Sequence, residues 1–169
     1  TFKKKKFVSF KKKDLPTQTH KLDWWLDRYI DKKVWDGEKY IKKAILSTKQ
    51  KQLIDKLLLY LEERGIGADW YDFMYSADPY FDMNNRVIIP FYWKGEIVGY
   101  TGRRLQEHSF DPKDGIKYYT DVQPGYVFNM DAQDWSRKFV LVTEGPFDAI
   151  TISGVSILGS EINDTQREL

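Results

Sequence analysis

Apolar and polar positions alternate with two different periods along the chain, and the change of period divides it. Leu22, Trp25, Leu26, Tyr29 and Ile30 recur at i, i+3, i+4, i+7 and i+8, the stripe of an amphipathic helix. Leu53, Leu57, Tyr60 and Leu61 make a second stripe, with Gly65 placed to close it as a left-handed cap. A weaker helix is expected over Glu38 to Leu46, so residues 16–66 read as helical. Ahead of them, residues 1–15 are too polar to fold alone, although Phe2, Val8 and Phe10 suit an edge strand. Residues 67–85 are irregular, with Asp78-Pro79 and Asn84-Asn85 as turn signals.

Beyond residue 85 the pattern is that of strands. Val87, Ile88, Ile89 and Phe91 form an apolar run, Lys94-Gly95 turns it, and Glu96 to Tyr100 returns as a hairpin. Ile116 to Tyr119 and Tyr126 to Phe128 are expected as further short strands. Phe139 to Val142 reads as a buried strand, and Pro146 suits the first turn of a helix over Phe147 to Ser153. Gly154 ends that helix and Val155 to Leu158 forms a second strand. Strand, helix and strand in so short a span predict a parallel pair with a right-handed crossover. Thr165 and Glu168 are spaced as a capping box for a last helix. A two-stranded parallel sheet cannot cover both its faces, so a downstream segment or a partner is expected to complete it. The expected fold class is α+β: a basic extension (1–15), a helical region (16–80), a small mixed β region (81–135) and a βαβ start (136–169).

Charge adds a second asymmetry. The net charge of the 169 residues is only +2. Residues 1–60 nevertheless carry 16 Lys and 1 Arg against 7 acids, a balance of +10, while residues 61–169 carry 10 basic residues against 18 acids, a balance of −8. Lys3, Lys4, Lys5 and Lys6, then Lys11, Lys12 and Lys13, form two basic clusters that suit phosphate neutralisation, or simply a solvated face. The absence of cysteine excludes a disulfide scaffold, a thiolate zinc site, an iron–sulfur cluster and a cysteine nucleophile. No apolar run reaches the roughly 20 residues of a membrane helix, and no signal peptide opens the chain. The start at Thr1 rather than Met suggests a processed product or a piece of something longer.

The candidate chemistry lies late in the chain. Glu144 directly follows a strand, at the carboxyl end where open α/β sheets place their sites, and Asp148 comes one turn into the following helix. Two carboxylates there suit a divalent ion such as Mg²⁺. Glu144 alternatively handles protons, or the pair is a loop carboxylate and a favourable helix-dipole charge. A cationic group comprises Arg86, Arg103, Arg104 and Lys117, with Tyr118 adjacent; arginine suits bidentate phosphate contacts and tyrosine stacks on bases. Taken singly, each also reads as a surface hairpin charge. His20 has no companion ligand and reads as a surface residue, and Trp24, Trp25 and Trp35 read as helix packing.

The order of these pieces carries a resemblance. Arg86-Val87-Ile88-Ile89-Pro90-Phe91, then Gly95 to Arg103, then Lys117-Tyr118, resemble the amino-terminal half of the catalytic core of bacterial-type DNA primases, closer to phage-type than to cellular ones. Val140 to Ala149 and Leu158-Gly159-Ser160 look like the opening of a Toprim domain. The resemblance covers roughly residues 80–169. It implies metal-dependent nucleotidyl transfer that makes RNA primers on single-stranded DNA from nucleoside triphosphates, in the cytoplasm and beside a replicative helicase in a primosome. It implies Glu144 as the essential glutamate, Asp148 as its partner at a Mg²⁺ or Mn²⁺ site, and Arg86, Arg103, Lys117 and Tyr118 as template- or nucleotide-binding positions. The family's second Toprim motif, Asp-x-Asp, and its zinc ribbon are absent from these residues, so the chain is expected to be a fragment, inactive alone and without zinc. Two other classes remain: a non-catalytic single-strand-binding or replisome module, and another Toprim enzyme such as a nuclease or topoisomerase.

Overall fold

The computed structural model describes residues 8–22, 34–35, 40–41, 48–78, 83, 85–105 and 116–169. Among these, α1 spans Thr48–Glu63, and β5 (Arg86–Trp93) and β6 (Glu96–Arg104) form the hairpin. Three short strands, β1 (Thr19–Lys21), β2 (Val34–Trp35) and β3 (Tyr40–Ile41), precede α1, and β4 (Met74–Ser76) follows it. Then come β7 (Tyr118–Val122), β8 (Val142–Thr143), α2 (Pro146–Ile152) and β9 (Val155–Ser156). One sheet has the order β1-β4-β5-β6-β7, a second pairs β2 with β3, and a third pairs β8 with β9. The chain divides into two compact units: the described residues of Thr1–Leu15, Ile89–Gly102 and Tyr118–Leu169 form one, and those of Pro16–Ile88 and Arg103–Lys117 the other.

In the second unit, the helix stripe over residues 53–61 is realised. Leu57 and Leu61 are fully buried, and Ile54 joins them one turn back. The helix stops as Gly65 predicts. Gly65 has φ 66°, its N–H donates to the Glu62 carbonyl (2.8 Å), and the Ile66 N–H donates to the Leu61 carbonyl (2.9 Å). These two bonds are the Schellman pattern, with buried Ile66 and Leu61 as the accompanying apolar residues. A Cβ at Gly65 would meet nothing within 4 Å. Gly65→Ala should therefore cost about 1–2 kcal/mol through backbone strain alone, read as a shift in urea midpoint at unchanged slope.

The remainder of residues 16–66 departs from the helical expectation. A strand occupies Thr19–Lys21, and Val34–Trp35 pairs with Tyr40–Ile41, inside the segment read as a weak helix from residue 38. The physical reason is local: Thr19 and His20 pair across to Ser76 and Tyr75, a non-local bond that periodicity does not register. The stripe over residues 22–30 and the Trp24-Trp25 pair lie, past Leu22, outside the described residues. Leu22 itself is buried, its N–H bonded to the Phe73 carbonyl (2.7 Å). His20 is exposed against Tyr75.

The first unit holds an aromatic core. Phe91 stacks on Tyr126 (5.2 Å) and tilts against Phe128 (5.4 Å), and Phe10 meets Trp93 and Tyr126 edge-on. Burial raises the Tyr126 hydroxyl well above the usual tyrosine range, and that hydroxyl donates to the Tyr92 carbonyl (2.8 Å). Phe10 reaches this core without forming the expected edge strand: residues 8–16 are extended, with Lys13 N–H bonded to the Ile97 carbonyl (2.9 Å). The β5–β6 turn is as read, with both Lys94 (φ 51°) and Gly95 (φ 79°) left-handed, as a two-residue hairpin of matching twist requires. β7 begins two residues later than expected, and Tyr126–Phe128 makes only a single bridge, Phe128 to Ser156.

The βαβ start is present, with β8 and β9 parallel and Val142 opposite Val155. Pro146 opens α2. The helix ends on left-handed Ser153 (φ 54°) rather than on Gly154. Gly154 serves a different need, because a Cβ there would lie 2.5 Å from the Leu141 carbonyl oxygen. The expected buried run Phe139–Val142 is instead exposed, Phe139 at 72%. With Trp135 and Ile162 it lines a groove of about 370 Å³. Strand β8 has one neighbour, so its run gains no cover from this sheet. The terminal helix is a single 3-10 turn, and its box is formed by Asn163 and Gln166 rather than by Thr165 and Glu168. Gln166 is held there because its side-chain amide also donates to the Tyr126 and Ile157 carbonyls (2.9 Å each).

Candidate functional site

Three chain segments bring the basic residues singled out in the sequence to one place. Arg86 opens β5, Arg103 and Arg104 close β6, and Lys117 immediately precedes β7. The Lys117 carbonyl accepts both from Arg86 Nη1 (3.3 Å) and from the Arg104 N–H (3.1 Å). The Leu105 N–H donates to the Asn85 carbonyl (3.0 Å), which ties the end of β6 to the start of β5. Arg86 is 1% exposed and Arg103 5% exposed. Holding guanidinium groups this far from water is costly unless they gain strong partners, so the arrangement is built for charge. The Arg104 Nη1 atom is also buried and has no hydrogen-bond acceptor among the described residues.

Two residues missed in the sequence belong to the same cluster. Tyr60, in the last turn of α1, accepts from Arg103 Nε at 3.0 Å. The Arg64 guanidinium lies 4.7 Å from the centroid of the Tyr60 ring. Tyr60 stands at an ordinary stripe position, so periodicity assigned it to packing. Its spacing of four from Arg64 was the available signal. Lys117 is exposed, and Tyr118 is half-exposed at the start of β7.

The acidic pair sits on the other unit, at the turn from β8 to α2. Glu144 and Asp148 are both exposed. The turn is fixed by Ser156 Oγ, which donates to the Glu144 carbonyl (2.8 Å), and by Thr143 Oγ1, which donates to the Gly145 carbonyl (3.0 Å). A Cβ at Gly145 would approach Asp148 Oδ2 to 3.4 Å, so the backbone passes close to that carboxylate. Oxygen donors of this kind fit a hard divalent cation that keeps several waters. Among the described residues, no three His, Cys, Asp or Glu side chains gather as a metal-binding group.

The lysine clusters divide. Lys3, Lys4, Lys5 and Lys6 lie outside the described residues. Lys12 pairs with Glu96 (2.9 Å) and Lys13 with Asp121, while Lys11 is exposed. The Glu96 carboxylate, by hydrogen bond first, raises the Lys12 ammonium above its ordinary value. Among the described residues, no helix is long and apolar enough to cross a membrane.

No family model matches the sequence, and no curated protein matches it. In fold, the chain is similar to a solved structure titled as the DnaG primase catalytic domain bound to ssDNA, with a TM-score of 0.49 and 15% identity over 86% of this chain. The chain spans 56% of that structure's length.

Proposed function

We propose that the chain is part of the catalytic core of a DNA primase of the bacterial and phage type, which makes RNA primers on single-stranded DNA from nucleoside triphosphates. The observation that carries this reading is the convergence of Arg86, Arg103, Arg104 and Lys117 on the Lys117 carbonyl at one end of the hairpin. These are the basic positions of the primase-like motif series, and planar guanidinium groups suit phosphate. In this reading Arg86 and Arg103 hold template or triphosphate oxygens, Arg104 and Lys117 add positive potential, and Tyr118 offers a ring to a base. Lys11 and the lysines at residues 3–6 add salt-sensitive attraction. Glu144 and Asp148 would hold Mg²⁺ or Mn²⁺ together with carboxylates from outside the described residues. When bound, that ion would neutralise charge on the transferring phosphoryl group. A replicative helicase as partner and the cytoplasm of a bacterial host as location belong to the same proposal.

The test separates the two halves of the site. Glu144→Gln, in a primer-synthesising protein that carries this sequence, should lower synthesis at least about a hundredfold, the scale of losing a principal charge-stabilising group. Affinity for a single-stranded oligonucleotide should stay within about twofold, because Glu144 contributes no positive charge. Retained synthesis would refute the assignment. A second reading, a single-strand-binding module without catalysis, is favoured by the lack of a three-carboxylate group among the described residues. It predicts binding that a chelator leaves unchanged and no synthesis in any protein that carries the sequence.

A further inference from the structure

We propose that Tyr60 is a positioning residue for Arg103: its hydroxyl fixes the guanidinium so that one edge is presented ready-made to a nucleic-acid phosphate. The proposal rests on the reading of the basic cluster given above and deepens it. Arg103 leaves the last rungs of β6, whereas Tyr60 comes from the last turn of α1, so their bond links two elements far apart in sequence. The acceptor is neutral. A carboxylate in its place would cancel the cation, whereas a phenol hydroxyl oxygen holds the Nε–H at 3.0 Å and leaves the full positive charge for a ligand.

Geometry explains which edge is offered. A guanidinium is planar, with five N–H donors in a fixed fork. Holding Nε–H restrains rotation about the Cδ–Nε bond and so sets the plane of the fork. The end-on edge, Nη1 and Nη2, carries two parallel N–H vectors that match two oxygens of one phosphodiester. An arginine held in advance loses less side-chain freedom on binding, which is where the affinity gain arises. The arrangement is itself braced, because the Arg64 guanidinium lies over the Tyr60 ring at 4.7 Å. The Schellman closure at Gly65 fixes the turn that carries both Tyr60 and Arg64.

A double-mutant cycle on the full chain tests this, with fluorescence anisotropy of a labelled single-stranded oligothymidylate between about 50 and 200 mM salt. Tyr60→Phe removes one oxygen and keeps the ring under Arg64. It should weaken binding about three- to tenfold with the salt dependence unchanged, because no charge is lost. Arg103→Met should weaken binding further and reduce the slope of log affinity against log salt by about one. Adding Tyr60→Phe to Arg103→Met should then change nothing more, the mark of residues acting through one another. If Tyr60→Phe binds as the parent does while Arg103→Met weakens binding, the positioning role is overturned and the basic-cluster reading stands. If the two effects multiply independently, Tyr60 does not act through Arg103 and the proposal fails. If the parent does not bind, or Arg103→Met leaves binding and slope unchanged, the reading of the basic cluster falls and the proposal with it. Thermal melts of all four proteins check that each binding value comes from a folded chain. Arg103→Lys with Tyr60→Phe repeats the cycle without loss of charge.

Discussion

Arg86→Met is expected to cost at least tenfold in affinity for single-stranded DNA while leaving the chain as stable as before, or slightly more so. Arg86 is 1% exposed and donates to the Lys117 carbonyl. Methionine fills much of the same volume with an unbranched, adaptable side chain, and a buried cation replaced by an apolar side chain is often neutral or stabilising. The Lys117 carbonyl keeps a donor, the Arg104 N–H at 3.1 Å, so no acceptor is orphaned. On the binding side, a charged hydrogen bond to phosphate contributes about 1.5–3 kcal/mol, and about 1.4 kcal/mol is tenfold. Anisotropy titration beside a urea melt reads both quantities. Loss of stability with unchanged affinity would make Arg86 a structural residue and would remove it from the proposed interface.

Phe128→Ala should produce the largest loss of stability in the first unit. Phe128 is 0% exposed, rests against Phe91 at 5.4 Å, and its backbone forms the bridge to Ser156. Removing a fully buried phenyl ring costs about 3–5 kcal/mol, part transfer and part cavity. For a chain of this size that lowers the melting temperature on the order of 10 °C. A shift of less than about 3 °C in a calorimetric scan would mean that the space collapses or that the ring is not central to the core.

The sequence told most where the physics is local. The stripe that became α1, the Gly65 stop and the Lys94-Gly95 turn are each determined within a few residues, and each was legible. Legibility failed where pairing is long-range. Nothing near Thr19 signals that it will pair with Ser76, so short strands were read as helix. Phe139 to Val142 looked buried because apolarity was taken as cover, whereas cover depends on a neighbour that this sheet does not supply. The capping box moved to Asn163 and Gln166 because Gln166 is also bound to Tyr126 and Ile157, contacts beyond the reach of spacing rules. At the candidate site the arginines and Lys117 were visible as residue types in order. Their meeting on one carbonyl, and the hydroxyl of Tyr60 on Arg103, came only with the tertiary structure.

The Gly65 closure also sets what kinds of length change a lineage carrying this sequence can accept. Each residue of an α-helix turns the next by about 100°. One codon inserted between Thr48 and Tyr60 leaves the closure intact only if the extra turn is absorbed upstream of Thr48, keeping Tyr60 facing Arg103. An insertion between Tyr60 and Gly65 has no such outlet, because the left-handed glycine and the two carbonyls it closes on are counted from the same end. Insertions and deletions should therefore accumulate ahead of α1 in related sequences, while the spacing Tyr60, Arg64, Gly65 stays fixed even as the apolar residues around it change.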